Sequence, residues 1–238
     1  MAFEYRVGDI LELSCPFTAA RVTELMADQV RVEWPWWADD PDGDGWNGVV
    51  TVPTGPGAPG WEHELFRIRS ADGELAADAP CRVGIPPTLV RVTGLREHEP
   101  PRATGRLPRP RREIAYLRAG LADGPRATDQ EPVFDPDDGI PRTVELRFRP
   151  YAFLEPGDEV ADSSGRAWRF GGPWDWQPFG PPATGEPSWP LMLLTRDGDS
   201  DDAAAVDITE ATLSGSHEEE MARWRELAGL APDDATAE

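Results

Sequence analysis

Val30, Val32, Trp34 and Trp36 alternate with Arg31, Glu33 and Pro35, and a period of two places the four apolar side chains on one face of a strand. Pro35 has no N–H for a ladder, so this strand ends near Trp36 or lies at a sheet edge. An acidic, glycine-rich turn follows. Val49–Val52 then reads as the returning strand of a hairpin with tryptophans at its tip. Strands are also predicted within Tyr5–Leu13, over Ala20–Leu25 and, after a loop rich in Pro and Gly at 53–60, over Trp61–Arg69 and Thr88–Thr93. Val144, Leu146 and Phe148 alternate cleanly with Glu145, Arg147 and Arg149, and Ala167–Phe170 and Ser188–Thr195 follow as further strands.

Helical spacing is rarer. Pro110 suits the first position of a short helix in which Ile114, Leu117 and Leu121 share a stripe, stopped by Asp123-Gly124. Ser216 with Glu219 three residues on forms a capping box, and Met221, Trp224 and Leu227 make the apolar stripe of a helix ending before Gly229. Pro100, Pro101, Pro108 and Pro110, interleaved with arginines, stiffen the stretch between the two β-rich parts. The pattern therefore predicts a mainly β chain: a β-barrel-like domain over 1–95, an Arg/Pro-rich connection with a short helix over 96–142, a second barrel-like domain over 143–215, a C-terminal α-helix over 216–230 and a tail over 231–238. Gly8-Asp9 and Gly157-Asp158 each precede paired strands and a W-x-W, Trp34/Trp36 and Trp174/Trp176, which suggests a degenerate duplication.

An aromatic at Tyr5, then Gly8-Asp9, an apolar strand from Ile10, and two more strands at Ala20–Leu25 and Gln29–Trp36 joined by a short turn resemble the opening of SH3-like small barrels of the KOW and Tudor type. The likeness covers about the first 35 residues. It implies two SH3-like or related small-barrel halves and the role of a binding module.

Charge narrows the partner. Of 238 residues, 44 are acidic and 23 basic, a formal net charge of -21, and every basic residue is arginine. Residues 1–95 carry 7 Arg against 15 acidic residues, 96–149 carry 11 against 10, and 150–238 carry 5 against 19. Ends this negative argue against a phosphate backbone, so nucleic acid is not the expected partner, and a protein with a basic face is the electrostatic match. Cys15 and Cys81 lie in unrelated contexts and read as buried free thiols. No apolar run approaches membrane-spanning length and the first residues lack a signal-peptide pattern, so the expectation is a cytoplasmic protein.

Three sets of residues suggest chemistry. Asp40, Asp42 and Asp44 with Gly45 match the first half of a calcium loop, whose alternate oxygen ligands suit a hard cation, but the twelfth position is Thr51 where that loop supplies a bidentate Glu. A hairpin tip built from Asp, Gly and Asn explains the same residues through turn preferences. Trp34, Trp36, Trp37, Trp46, Trp174 and Trp176, among ten tryptophans, are candidate binding residues. Trp36 and Trp37 would face opposite ways in a strand, which predicts an outward aromatic patch. Arg102, Arg106, Arg109, Arg111 and Arg112 are expected to lie along the protein's own carboxylates. His63, His98 and His217 sit apart and no catalytic motif is present, so neither an enzyme nor a cofactor is expected. The expected function is non-enzymatic binding of another protein through the Trp-rich hairpin tips and the acidic surface, in the manner of an inhibitor or immunity protein. The alternatives are a carbohydrate or cationic group on the tryptophans, and an unrecognised hydrolase.

Overall fold

The computed structural model describes residues 5–43, 45–71, 73–121, 132–180 and 185–230. Asp44, the Asp123-Gly124 helix stop and the 231–238 tail lie outside them. The fold is mainly β, and the chain divides into two compact units: unit 1 comprises Met1–Arg6 and Ile10–Arg147, and unit 2 comprises Val7–Asp9 and Phe148–Glu238.

Unit 1 is built on two long strands. In chain order its strands are β1 (Ile10–Leu25), β2 (Gln29–Glu33), β3 (Ala38–Asp39), β4 (Val49–Pro53), β5 (Arg67–Ser70), β6 (Pro80–Glu97), β7 (Arg106–Leu107), β8 (Arg112–Arg118), β9 (Val133–Phe134) and β10 (Thr143–Phe148), the last running just past its boundary. The main sheet has the order β4-β2-β1-β6-β8-β9, with β10 also on β1 and β5 also on β6; β3 and β7 form a separate pair. Register shifts on β1 near Cys15 and between Val22 and Glu24, and on β6 between Val92 and Gly94, bend the long strands. A bend at each irregularity lets one strand serve different partners along its length and curls the sheet. Leu11, Leu13, Val22, Val30, Val32, Trp34, Val83, Ile85, Val90, Ile114 and Tyr116 fill the concave core, with both cysteines free and buried among them.

The helix expected after Pro110 is instead strand β8. Its residues Glu113–Leu117 are all buried, because β8 lies between β6 and β9 and is covered on both faces. A strand covered on both sides carries an unbroken apolar run, within which a spacing of three and four is equally satisfied. The segment read as a connection thus contributes β7, β8 and β9 to unit 1.

Unit 2 contains β11 (Glu159–Ala161), β12 (Ala167–Gly172), β13 (Asp175–Pro178) and β14 (Met192–Thr195) in the order β13-β12-β11-β14, then two helices, α1 (Asp202–Leu213) and α2 (His217–Leu227). One C-terminal helix was expected, and the described residues form two. Asp201 caps α1 by accepting the Ala204 N–H, and Ser216 caps α2 by accepting that of Glu219. Trp224 of α2 donates its Nε1–H to the carbonyl of Gly8 at 2.7 Å.

Both Gly-Asp pairs belong to unit 2 and end in the same device. Asp9 receives a two-pronged Arg149 guanidinium at 2.9 and 2.7 Å, and Asp158 receives Arg196 at 2.9 and 2.6 Å, with both carboxylates fully covered. A chain whose cations are all arginine can make such paired, planar contacts where lysine would give one point charge. Among the described residues no helix is long and apolar enough to cross a membrane.

Candidate functional site

A concavity of unit 1 grows out of the end of β2. Val30 and Val32 point into the core, and Trp34 continues their alternation, its N–H bonded to the Gly48 carbonyl and its side chain only 6% exposed. Regular pairing of β2 stops at Glu33. Trp36 and Trp37 therefore escape the alternation that would have sent them to opposite faces, and both turn onto Trp34, with ring centroids 5.0 and 5.3 Å away. Phe66 meets the edge of Trp34 at 4.7 Å and Trp46 lies 6.0 Å from Trp37. The outward patch expected from these rings is not what they form. Trp34 is buried, and Trp36, Trp37 and Trp46 are half-buried against the core.

Beside this cluster lies a pocket of about 720 Å³, within the range usual for small-molecule sites. Trp34, Trp37 and Phe66 line one part of it and Tyr116 and Phe134 another, with Glu64, Glu113, Asp135 and Asp138 contributing carboxylates and Arg106 and Arg142 guanidiniums. β7 brings Arg106 against the Trp37 ring, its guanidinium carbon 3.5 Å from the centroid.

The polar groups divide sharply. Glu113 has His98 Nε2 at 3.0 Å and receives Arg102 at 2.9 Å; burial opposes its ionisation, but the hydrogen bond with His98 and the Arg102 guanidinium hold its pKa below the ordinary carboxylate value. Asp138 accepts both prongs of Arg142 and the Ile140 N–H. Asp135 accepts the N–H groups of Asp137 and Arg111, yet burial still pushes its pKa up. Glu64 accepts the Phe66 N–H and is likewise pushed up by burial. Each carboxylate thus has a partner. The indole Nε1–H groups of Trp34 and Trp37, both buried, have no hydrogen-bond acceptor among the described residues.

The other predicted residues are placed differently. Asp40 is buried and takes Arg109 with both oxygens, at 2.6 and 2.9 Å, while Asp42 lies 3.6 Å from the same guanidinium. Arg109 occupies the oxygens a cation would need, and among the described residues no group of three or more His, Cys, Asp or Glu could hold a metal ion. Arg102 and Arg112 also bind the chain's own carboxylates, on Glu113 and Asp137. In unit 2, Trp176 is half-buried against Phe170, whereas Trp174, at the turn between β12 and β13, is 55% exposed and rests edge-on against Trp224.

Sequence reasoning missed Glu64, Glu113, Asp135, Asp138, Tyr116 and Phe134 as neighbours, because strands far apart in the chain bring them together. It also missed a relay in unit 2, where the Tyr151 hydroxyl contacts His217 Nδ1 and His217 Nε2 stands 2.6 Å from Glu186. Tyr151 is buried at a φ of 55°, a conformation bulky residues rarely adopt. No protein-family model, curated protein or solved structure matches this chain.

Proposed function

We propose that this chain is a non-enzymatic binding protein and that the pocket beside Trp34 and Trp37 takes a small ligand. The observation that carries this reading is the pocket itself, about 720 Å³ with Trp34, Trp37, Phe66, Tyr116 and Phe134 in its lining. The carboxylates are tied to structural roles by Arg102, Arg142 and main-chain N–H groups, which speaks for binding rather than proton transfer.

Thr51 lines this pocket from the edge strand β4 and is itself exposed, so a large side chain there obstructs the site without entering the core. Saturation-transfer NMR of the full chain with a fragment library is expected to find mutually competing fragments whose signals vanish in Thr51→Trp. Fragments that bind this variant as well as the parent would refute the assignment.

A second reading has its own support. Trp174 is 55% and Phe179 51% exposed, in the part of the chain where 19 acidic residues face 5 arginines. Exposed rings beside excess negative charge suit a protein partner with a basic face. Affinity capture is then expected to yield a basic protein that is lost with rising salt and with Trp174→Ala. Capture indifferent to both overturns this reading.

A further inference from the structure

We propose that the outward side of α1 is a docking groove for a basic amphipathic helix of a partner protein, seated between the row Ala205, Thr209 and Leu213 and the row Asp202, Val206 and Glu210. The proposal is independent of the pocket in unit 1.

The helix is apolar on two opposite sides. Ala204, Ile208 and Thr212, each four apart, are its buried positions. A helix lying on a surface ordinarily turns polar residues outward on the side away from such a stripe. On α1 that side carries Val206 and Leu213, seven apart and so two turns along one line, exposed to 56% and 66%. Leu213 has the highest exposure of any large apolar side chain among the described residues. A single apolar side chain in water is ordinary, but two aligned on the free side of one helix form a stripe without a cover.

Shape selects a helix as that cover. Val206 stands in a row of residues four apart with Asp202 and Glu210, and Leu213 in the neighbouring row with Ala205 and Thr209. Ala205, Val206, Thr209 and Glu210 line a hollow of about 380 Å³ between the two rows. Ala205 and Thr209 are short, which deepens it. A furrow between adjacent rows of this kind receives the matching ridge of a second helix, crossing at about -50°. An apolar stripe laid into such a furrow is a common mode of helix recognition.

Charge selects the partner. Residues 197–222 hold nine acidic side chains and no arginine. Asp9 and Asp158 are each covered by a guanidinium, whereas Asp202, Asp207 and Glu210 of α1 make no ion pair among the described residues. Glu210 lies in the last turn, where the helix dipole disfavours an anion, and no basic residue of that turn offsets it. Lysines and arginines flanking the apolar stripe of an incoming helix supply the missing cations. Other occupants carry the wrong sign. A second copy of this chain brings the same negative face, residues 231–238 add three acidic residues and no arginine, and a phosphate-bearing surface is repelled in the same way.

The test displays a library of amphipathic helical peptides with leucine on one face and randomised polar positions, selects it on the full chain, and titrates the selected peptides by calorimetry. The expected result is a set of sequences enriched in Lys and Arg whose affinity falls about tenfold or more with Val206→Ala and with Leu213→Ala. Alanine favours a helix at both exposed positions, so these variants keep the fold, which circular dichroism checks. Asp202→Asn combined with Glu210→Gln is expected to weaken binding and to flatten its dependence on salt. Selected peptides without net positive charge, peptides that bind both alanine variants as tightly as the parent, or a selection that yields nothing overturn the inference. Binding lost with Trp174→Ala but with neither α1 variant also overturns it, while the reading of Trp174 as a contact for a basic partner stands. Sedimentation of the chain alone gives the last outcome: a dimer dispersed by Leu213→Ala assigns the face to a second copy and removes the basic helix from it.

Discussion

Arg142→Met is expected to destabilise unit 1 by about 3–5 kcal/mol, the usual result of stranding one partner of a buried ion pair. The guanidinium donates to both oxygens of Asp138 at 3.3 and 3.0 Å and to the Asp135 carbonyl at 3.0 Å, and the side chains of Arg142 and Asp138 are only 5% and 9% exposed. Methionine roughly keeps the length of the stem but leaves the Asp138 carboxylate buried without its counter-charge. Adding Asp138→Asn removes that charge while an amide oxygen can still accept the Ile140 N–H, so the double variant is expected to recover most of the loss. The two buried thiols of unit 1, Cys15 and Cys81, supply a local readout. Where labelling follows the population of the open state, the single variant should react faster by roughly two to three and a half decades, since every 1.4 kcal/mol is tenfold. A single variant that labels at the parent rate, or a double variant no better than the single, contradicts this account of the pair.

Arg142 also marks the limit of what local sequence patterns encode in this chain. The alternation of Val30, Val32 and Trp34 marked a strand and its buried face, and that strand pairs with β4 in the register Val30 with Val52 and Val32 with Val50. A local signal of that kind survives because the hairpin's contacts are close in sequence. The partnership of Arg142 with β8 and β9 around a pocket had no such signal. The apparent helical stripe of Ile114 and Leu117 came from a strand covered on two sides, and without β8 in its place the Arg-rich stretch looked like a linker. Pro86 and Pro87 likewise hid the continuity of β6, which runs unbroken from Pro80 to Glu97. The first C-terminal helix was missed because its buried positions, Ala204, Ile208 and Thr212, include one small residue and one hydroxyl. Thr212 accepts the Leu191 N–H and donates to the Ile208 carbonyl, a role no hydropathy pattern reports.

At the candidate site the same division holds. Trp34, Trp36 and Trp37 stood out by their spacing, but their direction was not legible, because alternation gives an outward ring only if the strand continues through Trp37, and it ends at Glu33. The carboxylates and arginines around them come from the segment before β5, from β7 and β8, and from the segment after β9, and only the sheet order brings these to one place. The turn that carries Asp42 was legible. That Asp40 would be claimed by Arg109, 69 positions away, was not.

In unit 2 the largest effect is expected at Trp168, the bulkiest of its fully covered side chains, where truncation to alanine should cost about 3–5 kcal/mol. Lost volume is one part of this. The other is Asp162, to which the Trp168 indole donates at 3.0 Å, and which also accepts the Ser164 hydroxyl at 2.6 Å and the N–H groups of Ser164 and Arg166 at 2.9 Å. Burial opposes ionisation of this carboxyl, but the four donors outweigh it and hold its pKa at about 2 against an ordinary 3.8. Because the folded value is the lower one, the unfolded chain binds the extra proton first as pH falls. The stabilisation from Asp162 is therefore complete above the ordinary value and is lost as pH descends toward about 2. Trp168→Phe keeps most of the ring and removes one donor, so Asp162 is expected to titrate at higher pH and the acid loss of stability to begin earlier. Carboxyl-carbon NMR titrations of the parent and this variant, with urea midpoints across the same pH range, measure both. An Asp162 that titrates alike in the two chains means that the indole fills space beside the carboxylate without fixing its charge, and the cost of Trp168→Ala is then packing alone.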